Sequence, residues 1–146
     1  GDVPDDEYLV PFGKARIVSE GNDCTLVATG RMVSFCENAA QALAEDGITC
    51  DIIDPRTTSP LDEDAILDSV EKTGRLVVVD ETPPRCSFAA DIAALAAGEV
   101  FSSLKAPVRQ ITGPHSPVPF AKELEGEFVP SPTKIRDAVA EVVNFK

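Results

Sequence analysis

Two strand exits tipped with acids are the chemically suggestive feature of this chain. Asp54-Pro55-Arg56 and Asp80-Glu81 each follow an apolar, β-branched run, and Thr29-Gly30 closes a third such run. In a parallel sheet the carboxyl ends of the strands share one edge. Thr29, Asp54, Arg56, Asp80, Glu81 and the loop from Pro114 to Phe120 are therefore expected to gather at one rim, where open α/β sheets carry their sites. Such a rim could form an acid-lined pocket with Arg56 clamping an anion. The alternative is that the acids cap neighbouring helices and pair with Arg56 or Arg85, holding an interface in register. The second reading is preferred, because no nucleophile–base pair is discernible and a lone histidine, here His115, is more often structural than catalytic. No residue is assigned a catalytic, cofactor-binding or metal-binding role.

Known chemical motifs are missing where they would matter. The sequence has no Gly-x-Gly-x-x-Gly after its first strand, no phosphate loop and no Gly-x-Ser-x-Gly, which removes dinucleotide, P-loop and hydrolase readings. Cys24, Cys36, Cys50 and Cys86 match no zinc or redox spacing. Cys24, Cys36 and Cys50 sit in apolar surroundings and read as small core hydrophobes. Cys86 lies in a Pro-Pro-Arg-Cys-Ser turn ahead of a helix, where exposed amides lower a thiol pKa, yet no His or third group is linked to it in sequence.

The elements that must position these residues alternate along the chain. Cys24 to Thr29 is a continuous apolar run, as expected of a strand buried on both faces. A helix with Val33, Cys36, Ala40, Leu43 and Ala44 on one stripe follows and stops at Gly47. Thr49 to Asp54 is the next strand. The helix after it opens on Asp62-Glu63-Asp64, ends at Lys72-Thr73-Gly74 and carries Ile66, Leu67 and Val70 on its apolar stripe. Arg75 to Asp80 is the strongest strand signal, followed by a proline-broken loop and an Ala-rich helix bearing Phe88, Ile92 and Leu95. Val108 to Thr112 is a further strand. The last helix has Ser131 as cap and Pro132 at its first position, with Ile135, Ala138, Val139, Val142 and Val143 at helical spacing. Ala15 to Ser19 adds a short strand before a Gly21-Asn22 turn. Right-handed crossovers then give a three-layer α/β/α domain around a mostly parallel sheet.

Composition bounds the function. A chain of 146 residues with 43% hydrophobic content suits one domain with a real core. The net charge of −12, with Lys and Arg scattered, excludes a phosphate-binding footprint and hence nucleic acid. No apolar run reaches membrane-spanning length and the first ten residues are acidic, so a cytoplasmic location is expected. Residues 1–14 read as a linker or remnant ahead of the domain at 15–146, and Gly1 in place of Met suggests a tag remnant or an excised fragment.

The stretch from Asp54 to Asp62, Asp-Pro-Arg-Thr-Thr-Ser-Pro-Leu-Asp, is similar to the Asp-Leu-Arg-Thr-x-x-Pro-Leu-Asp of the transketolase family C-terminal domain, with Pro55 the main departure. Together with Thr29-Gly30, Arg75 to Glu81 and Pro114 to Phe120, it extends the resemblance from about Val10 to Phe145. Within the family the chain looks most like the β subunit of thiamin-diphosphate-dependent 2-oxo acid and acetoin dehydrogenases. Asp80-Glu81 followed by Pro84-Arg85-Cys86, and His115 within its proline-rich run, lean toward the acetoin branch. Ser87-Phe88 departs from the small-residue pair often found at that helix start.

The resemblance implies a sheet of about five strands with one antiparallel edge strand. It implies that thiamin diphosphate and magnesium belong to the full enzyme, that this domain binds neither, and that the chain alone is inactive. Its implied partners are an α subunit, a second β subunit, including pairing of two copies of this chain, and a lipoyl acyltransferase core. Arg56, Asp80, Glu81, His115, Val118 and Phe120 are the interface candidates. Asp137, Glu141, Phe145 and Lys146 are the docking candidates, because Asn144-Phe145-Lys146 resembles the terminus of related β subunits and the acids continue a patch toward it. A competing reading is a self-contained acidic α/β module that binds a basic protein and has no catalytic assembly.

Overall fold

The computed structural model describes residues 5–146. Five strands, β1 (Arg16–Ser19), β2 (Cys24–Ala28), β3 (Cys50–Asp54), β4 (Leu76–Val79) and β5 (Arg109–Ile111), form one sheet in the order β1-β3-β2-β4-β5. All neighbours are parallel except β1, which runs antiparallel to β3 with Arg16 opposite Asp54. The architecture is the expected three-layer domain with one antiparallel edge.

Alternation along the strands sorts the core into two layers. Cys24, Leu26, Ala28, Ile52, Val77 and Val79 pack beneath α1 (Met32–Glu45) and α5 (Pro132–Val143). Val27, Ile53, Leu76 and Val78 pack beneath α2 (Glu63–Thr73) and α3 (Phe88–Glu99). Each Val, Leu or Ile fully removed from water contributes about 1.5–3 kcal/mol, so β2, β3 and β4, covered on both faces, anchor the fold.

Helix starts and stops follow local chemistry. Ser131 caps α5 by accepting from the Lys134 N–H, and Ser87 caps α3 by accepting from Ala90. Gly74 ends α2 at φ 73, a left-handed turn that Gly adopts at no steric cost.

Several helix faces differ from the predicted stripes. In α1 the buried set is Met32, Cys36, Ala39 and Leu43, with Ala44 exposed, because the helix beds against β3 and α5 one position round from the stripe read off the sequence. In α2 Ser69 and Thr73 are buried while Leu67 is half-buried. In α3 Ala89, Ile92 and Ala96 form the contact, since small side chains let the helix approach the sheet closely, and Phe88 and Leu95 flank it. A short α4 (Lys122–Phe128), unmarked by apolar periodicity, precedes α5 and buries Phe128. A one-turn 3-10 helix at Phe101–Ser103 follows α3.

Candidate functional site

The carboxyl ends of β2, β3, β4 and β5 share one rim, and the antiparallel direction of β1 brings the N-terminal segment in at the same edge. The segment leading into β1 is fastened there. The Gly13 N–H donates to Thr57 Oγ1 at 2.9 Å and the Ala15 N–H to Asp62 Oδ2 at 2.8 Å, with Lys14 Nζ 3.6 Å from Asp62. Asp62 therefore ties down the incoming chain. Its side chain makes no cap bond to α2, although Asp62, Glu63 and Asp64 stand at the start of that helix and place negative charge at its positive end as expected.

Each rim candidate has a distinct place. Asp80 is buried and its carboxylate is filled from within: it accepts from the Thr82 N–H at 3.0 Å, the Thr82 hydroxyl at 2.6 Å and the Ala89 N–H at 3.3 Å. It shapes the loop into α3. Glu81 reaches 50 residues back in sequence to Arg31 at the start of α1, with Arg31 Nε donating to Glu81 Oε1 at 2.6 Å. The expected pairing with Arg56 or Arg85 is thus replaced by Arg31, a residue with no sequence signal because its partner is brought near only by the sheet. Arg56 is exposed at φ 59, and its N–H donates to Asp54 Oδ1 at 3.0 Å. His115, Val118 and Phe120 are exposed on the loop after β5. That loop is set by Gly113, whose N–H donates to the Thr82 carbonyl at 3.1 Å; a Cβ there would stand 2.8 Å from the Phe128 ring. These residues share an edge, with Arg56, Asp80 and Glu81 each engaged with its own local partner.

What the rim does present is apolar surface. Tyr8, Leu9, Val10 and Phe12 on the entering segment, Val118 and Phe120 on the loop, and Leu124 on α4 are all exposed. Exposed apolar side chains of this kind, where they adjoin, are what contact surfaces are made of.

A buried polar cluster stands at the opposite end of the sheet. Asp51 on β3 accepts from the Gly21 N–H at 2.8 Å, the Ser69 hydroxyl at 2.6 Å and Lys72 Nζ at 2.7 Å. Thr25 Oγ1 lies 2.7 Å from Ser69 Oγ and 2.8 Å from Thr73 Oγ1. Burial pushes the Asp51 carboxyl upward, but the bonds from Lys72, Ser69 and Gly21 outweigh it and hold the group below its ordinary range. The signal for this cluster was Ser69 and Thr73 at i, i+4 beside an apolar stripe, with Thr25 and Asp51 inside apolar strands. Cys24, Cys36 and Cys50 are buried nearby in the core; desolvation drives Cys36 and Cys50 up to about 12 and Cys24 well above its ordinary value. Cys86 is exposed at φ 51.

At the end of the chain, Phe145 is exposed and lines a groove of about 510 Å³ with Ala93, Ala97, Leu104, Pro107 and Val108. The acids of α5 do not extend a free acidic patch to it, as the sequence suggested. Glu141 pairs with Arg109 of β5, and Asp137 with its neighbour Arg136 at 2.7 Å, because helix rotation and strand placement bring arginines alongside both. Lys146 follows Phe145 in the exposed terminus.

Fold and rim together describe a three-layer α/β domain whose parallel strand exits gather at one edge. Residues 13–135 match the family described as transketolase, C-terminal domain, and the chain belongs to that family. Among its relatives, the acetoin:2,6-dichlorophenolindophenol oxidoreductase subunit beta of Bacillus subtilis is 52% identical over 143 residues, 98% of this chain and 42% of that protein. Its counterpart in Cupriavidus necator is 49% identical over 138 residues, 94% of this chain and 41% of that protein. The pyruvate dehydrogenase E1 component subunit beta of Rickettsia bellii is 40% identical over 145 residues, 99% of this chain and 45% of its own. The chain thus spans less than half the length of these relatives. A solved structure titled as a split-gene transketolase, inactive beta4 tetramer, shares the fold at a TM-score of 0.82 and 23% identity, covering 99% of this chain and 45% of that one. Among the described residues no helix is long and apolar enough to cross a membrane.

Proposed function

We propose that this chain is the C-terminal assembly and partner-docking domain of the β subunit of a thiamin-diphosphate-dependent dehydrogenase of the cytoplasm. The assembled enzyme cleaves acetoin or oxidatively decarboxylates pyruvate or another 2-oxo acid, and passes the acyl group to lipoyl arms. The observation that carries this reading is the 52% identity, over nearly the whole chain, with a β subunit of an acetoin oxidoreductase. Acetoin is favoured because identity falls to 40% and 36% for the pyruvate and 2-oxoisovalerate relatives.

Geometry supports an accessory role. The rim carboxylates are already occupied by Arg31, Thr82, Ala89 and the backbone of Arg56, so this donor set does not fit a magnesium diphosphate, and the cofactor would be held by other parts of the full enzyme. The rim, with Arg56, Glu81, His115, Val118 and Phe120, is the surface offered to the other domain and to the α subunit, while Asp80 supports it from beneath. The chain end, with Phe145, Lys146, Asp137 and Glu141, is offered to the lipoyl acyltransferase core. Since both acids are paired, this docking depends on Phe145 more than on charge steering.

The test is a chimera. This domain replaces the matching residues of the Bacillus subtilis acetoin oxidoreductase β subunit, is assembled with that enzyme's α subunit, and acetoin-dependent reduction of dichlorophenolindophenol is measured. The expected result is an assembled, active chimera, weakened at least about tenfold in assembly by Phe120→Asp through loss of an apolar anchor. A folded chimera that does not assemble overturns the proposal.

A further inference from the structure

We infer that Thr57 and Asp62 are positioning residues: they clasp the chain at Gly13 and Ala15 and so aim the apolar segment 8–12 at an apolar face of the domain that precedes it. The inference rests on the reading above only in taking such a domain as present. The clasp is a relay of donors and acceptors. The Thr57 hydroxyl donates to the Pro60 carbonyl at 2.8 Å, which leaves its lone pairs to accept, and the Gly13 N–H fills one at 2.9 Å. Two residues on, the Ala15 N–H donates at 2.8 Å to Oδ2 of the buried Asp62. Gly13 itself stands at φ 67, and a Cβ there would lie 3.1 Å from the Pro60 ring, so the turn that redirects the chain into β1 rests directly on this loop. The loop is fixed in its turn. The Arg56 N–H donates to Asp54 Oδ1 at 3.0 Å and the Thr57 N–H to the Pro55 carbonyl at 2.6 Å, holding Arg56 at φ 59. A left-handed residue other than glycine persists where its surroundings fix it, and here they fix Thr57 as well.

Ahead of the clasp the segment lies open. Leu9 is 86% and Phe12 85% exposed, with Tyr8 and Val10 exposed beside them. Four apolar side chains in five residues, left in water next to a turn held by two hydrogen bonds, fit an apolar face outside this domain. Continuity of the chain selects the occupant. The Bacillus subtilis relative is more than twice the length of this chain, and segment 8–12 is the direct continuation toward whatever precedes the domain. Without the clasp the first anchored residue is Arg16 of β1, eight residues from Tyr8, which gives Tyr8 a reach of roughly 27 Å. With Gly13 held, the reach is roughly 17 Å. The accessible volume then falls about fourfold, and the local concentration of the segment at its partner face rises by the same factor.

The experiment is limited chymotrypsin cleavage after Tyr8, Leu9 and Phe12, read by mass spectrometry, in the isolated chain and in the chimeric β subunit described above before any α subunit is added. Cleavage is expected in the isolated chain and suppressed in the chimera. Thr57→Val combined with Asp62→Ala should speed cleavage of the chimera at least about fourfold. Thr57→Ser combined with Asp62→Asn keeps both acceptor oxygens and should leave it suppressed. Amide exchange separates positioning from general stability: in the isolated chain carrying Thr57→Val and Asp62→Ala, exchange should speed at Gly13 and Ala15 while the amides of β2 and β4 keep their protection. If that variant does not fold, the unaltered chain still decides, and unprotected Gly13 and Ala15 amides overturn the inference. A chimera cut as fast as the isolated chain, or one that stays uncut with Thr57→Val and Asp62→Ala, overturns it too. A chimera protected as expected that fails to bind the α subunit would overturn the assembly reading and leave the clasp standing.

Discussion

Asp51→Ala removes the hub of the polar cluster between β3 and α2. Asp51 is 3% exposed and its carboxylate receives three donors. Its loss leaves the Gly21 N–H and the Ser69 hydroxyl without that acceptor, at about 1–3 kcal/mol each. Lys72, whose side chain is 44% exposed, can turn to water and adds little. Ser69 retains Thr25, which lowers its share, so the total is about 2–4 kcal/mol. For a domain of this size that corresponds to a melting point lower by roughly 5–15 °C. Urea and thermal denaturation should be compared with Asp68→Ala, an exposed acid on the same helix, expected to fall within about 0.5 kcal/mol of the unaltered chain. The folded pKa of Asp51 lies below its ordinary 3.8, so its stabilisation is present above that value and is lost as pH falls through the lower folded value. The gap between the unaltered chain and Asp51→Asn should therefore close in acid below about pH 4. If Asp51→Ala costs no more than Asp68→Ala at neutral pH, the cluster does not stabilise the fold as argued.

Gly21→Ala would set a Cβ 2.3 Å from the Cys50 backbone nitrogen, so it should destabilise by more than about 3 kcal/mol or prevent folding, measured by circular dichroism and melting. Asp80→Ala should free the Thr82 and Ala89 amides and speed their hydrogen exchange, at about 1–3 kcal/mol, without changing the sheet. Arg31→Ala breaks a half-exposed ion pair with Glu81 and should cost under about 1 kcal/mol, less still in high salt. Alkylation of the native chain near neutral pH should label Cys86 alone, since the other three thiols are buried and held protonated; mass spectrometry counts the adducts.

Local chemistry written in the sequence determined a great deal. The β-branched runs marked β2, β3 and β4, Ser131-Pro132 marked the start of α5, and Gly74 the stop of α2, because propensity, capping and turn conformation act within a few residues. Strand exits in a parallel sheet share an edge, so the rim is legible in the sequence. Sequence alone did not decide which helical stripe faces inward when several carry small apolar residues: Ala39 rather than Ala44 on α1, and Ala89 rather than Phe88 on α3, are chosen by how closely each helix can approach the sheet. Nor could it pair charges across long separations. Glu81 with Arg31, Glu141 with Arg109 and Asp51 with Lys72 exist because the crossovers bring distant elements side by side, and periodicity carries no record of that. Likewise, whether an acid is offered to a partner or used up within the chain, as Asp80 is, depends on the direction of its neighbours' amides, which only the folded backbone sets.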